Sequence, residues 1–478
     1  MKIEIPNEIL NILTQLKKNG FLAYVVGGCV RDLLLGKKPK DWDITTNAKP
    51  QEILKIFPKS FYENRFFTVT VITDSADPTL KEVEITTFRK EGKYSDKRHP
   101  DEVKFADTLE EDLNRRDFTI NAMAADVEET IKIVDLFGGQ EDLRKKIIRA
   151  VNDPHKRFQE DALRMMRAVR LCVELGEGWK IEEKTFEAIK ENAALIEVIS
   201  KERIRDEFLK IIESTNPVRG IELLRESGLL KYVLPELQEN YGVSQNKHHI
   251  YDCYWHALKS LEFAAKKNFS TEVRLAVLFH DIGKPRTKRG EGPNATFYNH
   301  QIVGAKMTDQ ILRRLCFPKK MREKIVKLVR YHLFYYNVGE VKEASVRRLV
   351  LQVGKENFED LLKVRMADRI GSGCKKAEPY KLRHLRYLAE KVFLEPLSPK
   401  MLKVSGYDVM EVLKIGSGPK VGKILKILLN EVIENPSLNE KEYLVKKIED
   451  LGKLSETELD QLFQKAKENI QKIEEKND

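Results

Sequence analysis

Cysteine is scarce in this chain and forms no paired motif. The five cysteines lie far apart, at Cys29, Cys172, Cys253, Cys316 and Cys374, and no two of them are separated by only two residues. This spacing excludes a disulfide framework and a thiolate zinc site. We therefore expect reduced thiols in an intracellular protein.

Long apolar runs and internal repeats are also missing. No apolar run approaches the roughly 18 residues that a membrane-spanning helix needs. The first twenty residues, MKIEIPNEILNILTQLKKNG, carry charges throughout and lack the apolar centre of a signal peptide. We expect a cytoplasmic protein with no membrane contact, and we predict no stable protein partner.

Charge and length indicate the class of partner and the number of domains. The chain has 478 residues, of which 41% are hydrophobic and 33% charged, which is too long for one compact domain. Lys and Arg total 85 against 75 Asp and Glu, a net charge of +10. A basic balance favours an acidic partner such as nucleic acid, although mildly basic proteins of other kinds are common.

The distribution of strand-forming residues predicts an α+β fold. Short runs rich in Val, Ile, Thr and Phe fill residues 21–136, and from about residue 140 onward the apolar residues recur at helical spacing. We predict a small head with a mixed sheet and helices, followed by an elongated all-α region. The last stretch, 453–478, reads as a charged helix that frays into solvent.

A pair of glycines followed by a pair of aspartates suggests phosphoryl transfer. Asp41 and Asp43 are two residues apart, so on a strand both side chains lie on one face, and Glu84 lies in a strand-like run that is a candidate neighbour. Three carboxylates can hold two Mg²⁺ ions, and a turn at Gly27 and Gly28 lets backbone N–H groups approach phosphate oxygens. Either feature alone is typical of an ordinary turn or a solvated strand end.

The stretch RRDFTINAMA adds further polar groups. Arg115 and Arg116 are candidates to bind a triphosphate, and Asp117 is a candidate acceptor for a ribose hydroxyl.

Residues 157–170, RFQEDALRMMRAVR, read as one helix that could recognise a base. Asp161 and Arg164 would then lie three apart on one face, with Arg167 continuing the row. A carboxylate only accepts hydrogen bonds and a guanidinium only donates them, which matches the amine and ring nitrogen of cytosine and adenine. This pattern predicts CTP and ATP as substrates, with GTP and UTP rejected. The alternative is a surface ion pair.

These motifs together resemble a known family. GGCVRDLLLG, DWDI, RRDFTINA and EDALRMMRAVR look like the class II tRNA nucleotidyltransferase and bacterial poly(A) polymerase family, within the polymerase β-like superfamily. The resemblance implies template-independent nucleotide addition to RNA 3′ ends by a palm-like head. Asp41 and Asp43 would be metal ligands, with Glu84 also catalytic. The resemblance also implies a nucleotide-binding set consisting of Gly28, Arg31, Arg116, Asp117, Asp161, Arg164, Arg167 and Arg170.

The segment 86–105 bears on which polymerase this is. It resembles the flexible loop of CCA-adding and A-adding members, and Arg89, Asp96 and Arg98 fit the charged pattern of that loop. A stretch typical of the poly(A) polymerases is not found before RRD. We rank CCA addition first, A-only addition second and poly(A) synthesis third. The chain has RFFTVTV at 65–71, where the family often has Gly-Thr-Val.

A second constellation of histidines and aspartates follows in the helical region. The order H…HD…H…H…D, in which His300 and His332 are the later histidines, resembles the HD phosphohydrolase superfamily. The resemblance puts a divalent metal at a site whose ligands are His256, His280, Asp281 and Asp368. A set of histidines and carboxylates suits Mn, Ni, Fe, Zn and Mg and does not choose between them. A metal-dependent RNA phosphohydrolase with a head reduced to a binding module is the rival interpretation of the whole chain.

The predicted organisation has five parts. The segments 313–330, 375–391 and 416–422 are basic helical stretches or a glycine turn that could hold tRNA phosphates. The predicted boundaries are 1–150 for the nucleotidyltransferase head, 151–215 for a neck that reads the base, 216–245 for a connector, 246–375 for the HD domain and 376–478 for a tRNA-binding tail.

Overall fold

The computed structural model describes residues 4–63, 67–91, 103–128, 130–246, 250–393 and 398–471. The chain divides into two compact units, Met1–Pro235 and Glu236–Asp478. The first unit contains a mixed sheet with helices and the second is built of helices, so the predicted α+β class is confirmed. No helix in the described ranges combines the length and apolarity that crossing a bilayer requires.

A seven-stranded sheet organises the first unit. Its strand order is β3-β4-β5-β2-β1-β8-β9. Strands β2 and β5 are parallel and the other neighbours are antiparallel. Strands β1, β2 and β5 therefore lie side by side in its interior. The strands of this unit are β1 (Ala23–Val26), β2 (Asp43–Thr46), β3 (Ser60–Glu63), β4 (Thr68–Ile72), β5 (Glu82–Thr87), β6 (Arg89–Glu91), β7 (Val103–Phe105), β8 (Met123–Val127), β9 (Ile131–Asp135), β10 (Ile147–Ile148) and β11 (Lys180–Ile181).

Helices cover the sheet and continue beyond it. The N-terminal helix buries Ile9, Ile12, Leu13 and Leu16, the spacing of one apolar face. The helices of the first unit are α1 (Asn7–Lys18), α2 (Gly28–Leu34), α3 (Pro50–Ile56), α4 (Leu109–Asn114), α5 (Gly139–Lys145), α6 (Pro154–Glu160), α7 (Leu163–Glu174), α8 (Glu183–Asn192), α9 (Lys201–Glu213), α10 (Pro217–Glu226) and α11 (Leu230–Val233), and α12 (Pro235–Gln238) spans the boundary.

The single helix predicted over 157–170 is wrong. The backbone leaves the helical region at Asp161, where φ is −138° and ψ is 104°, so α6 ends and α7 begins there. The Asp161 carboxylate accepts a hydrogen bond from the backbone N–H of Leu163 at 3.0 Å. Aspartate favours such helix ends because its short side chain competes for backbone donors.

The second unit is helical. Apart from one isolated bridge between Arg289 and Thr296, its described residues form no strand. Its helices are α13 (Cys253–Lys266), α14 (Thr271–Phe279), α15 (Lys284–Thr287), α16 (His300–Arg314), α17 (Lys319–Tyr331), α18 (Glu343–Val353), α19 (Lys355–Gly371), α20 (Tyr380–Val392), α21 (Gly406–Leu413), α22 (Pro419–Glu434), α23 (Lys441–Gly452) and α24 (Glu456–Gln471).

The last described helix packs into a core, contrary to the expectation of a solvated, fraying helix. Leu459, Ala466 and Ile470 are at most 3% exposed and belong to one apolar cluster with residues of α22, and Phe463 packs against that cluster. These four positions follow the i, i+4, i+7, i+11 spacing of a helical face. The many charges of this segment hid an amphipathic pattern.

Candidate functional site

A glycine turn links the first strand of the sheet to its first covering helix. Gly27 has φ +80° and precedes α2, a backbone conformation that side-chain-bearing residues rarely adopt. A Cβ at this position would lie 2.9 Å from Arg116 Nη1 and 3.4 Å from Asp43 Oδ2. The turn therefore brings bare backbone against a cation and a carboxylate, and phosphate binding by this turn stays a prediction.

The three predicted carboxylates meet beside this turn, although not all on one strand. Asp43 is the first residue of β2 and pairs in register with Val26 on one side and Glu84 on the other. Asp41 is exposed and lies in the bend before β2, so the expectation that both aspartates share a strand face is wrong. Both aspartates line the same cavity.

The electrostatics of the three acids favour a cation. Burial raises the pKa of Asp43 to about 6, and the neighbouring charges of Asp41 and Glu84 add to this, while Arg116 opposes it. Like charges held this close are stabilised by hard cations such as Mg²⁺, for which carboxylate oxygens are the preferred ligands. The donor set therefore fits the predicted metal ions.

Two arginines of the RRD motif line the same cavity as Asp41 and Asp43. Arg116 Nη2 donates to Asp112 Oδ2 at 3.3 Å, and its buried Nε has no hydrogen-bond partner. Arg115 pairs with the same fully buried Asp112 through Oδ1 at 2.9 Å. Asp112 therefore orients both arginines, a role the sequence reasoning missed because the residue stands before the motif.

Asp117 has partners of its own. It accepts from the Phe118 backbone N–H at 2.8 Å, from Asn121 at 3.1 Å and from Arg167 Nε at 2.8 Å. Burial acts to raise the pKa of Asp117, but Arg167 and Arg164 hold it well below its usual range. Asp117 therefore anchors the Arg167 side chain. Its role as an acceptor for a ribose hydroxyl stays a prediction.

A cavity of about 440 Å³ brings these groups together. Eight of its lining side chains are cationic and four are anionic, as suits a polyphosphate bound with metal ions. Glu84 borders Asp43 but does not line the cavity. The lining residues are Gly27, Gly28, Arg31, Asp41, Asp43, Arg115, Arg116, Asp117, Asn121, Asp161, Arg164, Arg167, Arg170, Arg203 and Lys210.

The predicted base-reading residues, Asp161 and Arg164, line the cavity, and their side chains are bound to other partners and not to each other. Asp161 Oδ2 lies 2.7 Å from Arg203 Nη2. Arg164 donates through Nη1 to Glu160 at 2.7 Å and through Nη2 to the Arg115 carbonyl at 2.9 Å. Each member is held in place by a separate partner, which argues against the simple surface ion pair.

Other cavity residues are positioned by short contacts within the first unit. Arg31 Nη1 donates to Asn121 Oδ1 at 2.8 Å, and Arg170 Nε donates to Glu207 Oε2 at 2.6 Å. Arg203 and Lys210, both on α9, line the cavity and were not predicted. Their segment has no motif, and only the packing of α9 on α7 reveals them.

Two residues of the predicted charged loop, Asp96 and Arg98, lie outside the described residues, as do 65 and 66 of RFFTVTV. Arg89 begins β6, which pairs with β7.

In the second unit, six buried side chains form one cluster. The His256 and His280 Nε2 atoms are 2.9 Å apart, and Asp368 Oδ1 lies 3.4 Å from the first and 3.7 Å from the second. All four predicted ligands, including Asp281, are brought together. The cluster consists of His256, His280, Asp281, His300, His332 and Asp368.

Asp281 joins two groups of candidate ligands. Its Oδ2 lies 3.2 Å from Nε2 of both His256 and His280. Its Oδ1 lies 3.3 Å from His300 Nε2 and 3.6 Å from His332 Nε2. A carboxylate that faces a group on each side is suited to bridge two cations. The sequence reasoning placed His300 and His332 in the motif but did not count them as ligands.

The imidazoles are oriented as metal ligands usually are. The Nδ1 atoms of His280, His300 and His332 each lie 2.7 to 2.8 Å from the carbonyl three residues earlier. An Nδ1–H that donates to a carbonyl leaves Nε2 as the lone-pair atom, and Nε2 faces the cluster in each case. The donor set therefore fits a divalent metal and does not distinguish its identity.

The fold and the head cavity together define a nucleotidyltransferase. The family model for the poly A polymerase head domain matches residues 23–149, one described as a probable RNA and SrmB-binding site of polymerase A matches 178–240, and the HD domain model matches 253–370. The class predicted from the motifs is thereby confirmed.

Comparison with individual relatives identifies the family more specifically. The chain is 34% identical over 450 residues to the CCA-adding enzyme of Ligilactobacillus salivarius, covering 92% of this chain and 96% of that protein. It is 54% identical over 201 residues to that of Lactobacillus helveticus, covering 42% of this chain and 48% of that protein. The solved CCA-adding enzyme of Bacillus stearothermophilus in complex with CTP matches with a TM-score of 0.67 and 31% identity, covering 93% and 96%. The chain belongs to the CCA-adding enzyme family.

Proposed function

We propose that this enzyme adds CCA to the 3′ ends of tRNA, using CTP and ATP and no nucleic-acid template. The observation that carries the proposal is the cavity that joins the Asp41 and Asp43 carboxylates to the arginines of α7 and α9. Similarity over nearly the full length of CCA-adding enzymes supports the same activity. Because its substrates would be tRNA and nucleoside triphosphates, we place the enzyme in the cytoplasm.

The acidic side chains and the arginines would have different roles in nucleotidyl transfer. Asp41, Asp43 and Glu84 would hold two Mg²⁺ ions. When bound, these ions activate the RNA 3′-hydroxyl and stabilise charge on the leaving pyrophosphate. The bare turn at Gly27 lets backbone N–H groups meet phosphate oxygens, and Arg116, oriented by its bond to a buried aspartate, donates to the triphosphate.

Asp161 and Arg164 would select the base. Asp161 accepts from the exocyclic amine, and Arg164 donates to the unprotonated ring nitrogen, which admits cytosine and adenine. Arg203 and Glu160 support this role because they fix the two side chains at 2.7 Å each before a base arrives. Guanine and uracil would leave buried polar groups unpaired, which is a strong ground for rejection.

The remaining parts of the chain would hold the tRNA. We propose the helical tail 376–478 and the basic helix α17 as surfaces for the RNA backbone, with the N-terminus of α22 offering N–H groups to a phosphate. Such contacts would recognise A-form shape rather than sequence. The head at 1–150, the neck at 151–215, the connector at 216–245 and the HD domain at 246–375 remain proposed boundaries.

Nucleotide incorporation into three tRNA transcripts tests the assignment. The transcripts lack CCA, end in C, or end in CC, and each receives labelled CTP and ATP separately and together. Completion of all three to CCA, followed by arrest, is the expected result. Extension of only the CC-ended transcript with ATP would show an A-adding enzyme, and an unbounded A tail would show a poly(A) polymerase.

The buried histidine and aspartate cluster favours a second activity. We propose that the HD site is a metal-dependent phosphohydrolase that removes 2′,3′-cyclic phosphate from RNA ends before nucleotide addition. Six convergent ligands support it, and backbone carbonyls fix three of the four imidazoles, those of His280, His300 and His332. A bound divalent metal would supply an activated water for attack on phosphorus. One water opens the cyclic diester, and a second releases inorganic phosphate.

Phosphate release tests this second activity directly. The purified chain is incubated with cyclic-ended RNA and Mn²⁺, Ni²⁺, Fe²⁺, Zn²⁺ or Mg²⁺ in turn. Release with at least one metal is expected, and absence of release with every metal would sink the hypothesis.

A further inference from the structure

A small cavity in the second unit lies next to the HD cluster and is lined by aromatic and cationic side chains. Its volume is about 180 Å³, smaller than the pockets that hold drug-sized ligands. No acidic side chain stands among its described lining residues. Its polar and aromatic lining consists of Phe334, Tyr335, Tyr336, Arg365, Arg369 and Lys381.

Arg365 connects this cavity to the candidate metal ligands. Its Nη1 donates to Asp368 Oδ2 at 2.7 Å, while Oδ1 of the same carboxylate faces His256 and His280. The guanidinium also lies over the Phe334 ring, with 5.8 Å from Cζ to the ring centroid. One carboxylate therefore separates the cavity wall from the HD cluster.

Arg369 gives the cavity a cation that forms no ion pair with any residue in the described ranges. It lies one helical turn beyond Arg365 on α19, and its buried Nε has no hydrogen-bond partner. Its one hydrogen bond to a described residue is a 3.5 Å contact from Nη2 to the Lys376 carbonyl. Lys381 lines the same cavity and is exposed. An anionic group would complete these donors.

The aromatic side chains offer stacking faces beside these cations. Tyr335 is 37% exposed, and Tyr336 is held by a 2.5 Å hydrogen bond between its hydroxyl and His384 Nδ1. Tyr380 and Tyr387, 61% and 52% exposed, flank His384 on α20 at the i, i+4, i+7 spacing of one helical face. Aromatic side chains among cations are the usual platform for unpaired bases.

We propose that this cavity and the exposed aromatic side chains beside it together bind the terminal nucleotide of a single-stranded RNA 3′ end. The base stacks on Tyr335 and Tyr336, a phosphate oxygen accepts from Arg369, and the preceding bases lie along Tyr380 and Tyr387. The terminal phosphate is thereby held next to the HD cluster. This inference rests on the proposed phosphohydrolase function, for which it names the substrate-binding residues. Because every base has a stacking face, little base preference is expected.

Photocrosslinking of the full chain tests the location. A short RNA with a 3′-terminal 4-thiouridine 3′-phosphate is bound in the presence of chelator, so that no phosphoester is hydrolysed, and the crosslinked peptides are mapped. A crosslink within 334–336 is expected. Crosslinks confined to other peptides would overturn the proposal.

Binding of the same RNA to matched variants tests the residues. Tyr335→Ala and Arg369→Gln should each weaken binding about tenfold, the order of one stacked base or one charged donor. Tyr241→Ala is the control, because Tyr241 is likewise a partly exposed tyrosine of the second unit, at 46%, and it belongs neither to the lining of this cavity nor to the segments proposed to hold tRNA. Equal affinities of the Tyr335 and Tyr241 variants would refute the stacking role.

Phosphate release separates this proposal from the function on which it rests. Suppose that no metal supports phosphate release, while the crosslink and the weakened binding of the variants are both observed. That result would refute the phosphohydrolase function and support an RNA 3′-end binding site. If Tyr335→Ala and Arg369→Gln release phosphate at an unchanged rate, the phosphohydrolase function stands. The proposal that this cavity is its substrate site is then refuted.

Discussion

Replacing Gly27 by alanine perturbs the head site at the point where backbone, cation and carboxylate meet. The residue has φ +80°, and an added Cβ would lie 2.9 Å from Arg116 Nη1, closer than such contacts are found in proteins. The Arg116 tip must retreat by about half an ångström to reach ordinary contact. That movement takes Arg116 away from the position set by its hydrogen bond to Asp112.

Two magnitudes follow from this geometry. A non-glycine residue in this backbone region costs about 1–3 kcal/mol of folding free energy. Misplacement of a positioning group by a fraction of an ångström to an ångström lowers activity by up to about 10²-fold, or about 2.7 kcal/mol of transition-state stabilisation. We therefore expect Gly27→Ala to lose about a hundredfold in kcat/KM for CTP incorporation and to unfold at lower urea concentration.

A substitution at a second glycine distinguishes the effect of backbone strain from the effect of the close contact with Arg116. Gly20 has φ +85°, and a Cβ there would meet nothing within 4 Å. Gly20→Ala should therefore also lose stability through its positive φ, and it should keep its incorporation rate. Steady-state incorporation of labelled CTP into a tRNA transcript lacking CCA, with urea unfolding of both variants, makes the comparison. Equal activities of the Gly27 and Gly20 variants would refute the argument that the close approach to Arg116 matters.

Four further substitutions have directions set by the structure. Asp43→Ala should abolish nucleotide incorporation and spare phosphate release, whereas His280→Ala should do the reverse, and paired assays on both variants check this. Burial acts to raise the pKa of Asp112, but the two arginines beside it hold that pKa below its ordinary value. Its stabilisation is thus present above about pH 4 and lost as pH falls through the folded-state pKa. Urea unfolding should show Asp112→Asn costing about 3–5 kcal/mol at pH 7 and less at pH 3. Arg203→Ala frees Asp161 and should reduce discrimination of CTP over UTP about tenfold, measured as the ratio of kcat/KM values.

Much of the head site was predictable because its chemistry lies in contiguous motifs. The glycine turn, the paired aspartates and the RRD motif each carry a physical reason that a few neighbouring residues can express. The cavity places Gly28, Asp43 and Arg116 together as that reasoning required. The HD ligands were predictable for a related reason, since His280 and Asp281 are adjacent in an apolar stretch, where a buried carboxylate needs a partner.

What the sequence did not reveal depends on tertiary packing. The break at Asp161 turns on one side chain capping the next helix, which helical periodicity on both sides conceals. Arg203 lies on α9 and contacts Asp161, which is more than forty residues earlier in the chain, and no sequence motif marks the segment around Arg203. Asp281 follows α14, and its contacts on both sides required α16 and α17 to bring His300 and His332 to its second oxygen. No local sequence pattern predicts contacts between residues this far apart in the chain.

The register of the sheet explains how the head can hold acids that repel one another. Asp43 and Glu84 are direct neighbours on parallel strands, and burial with neighbouring charge raises the pKa of Asp43 to about 6. The next position of each strand is Val25, Ile44 or Ile85, and these three are paired across β1, β2 and β5 and are fully buried. Because a slip of one residue would turn these apolar side chains to the other face, hydrophobic burial opposes the repulsion. The carboxylates are thus kept together before any metal binds, and metal binding relieves a repulsion that the core already sustains.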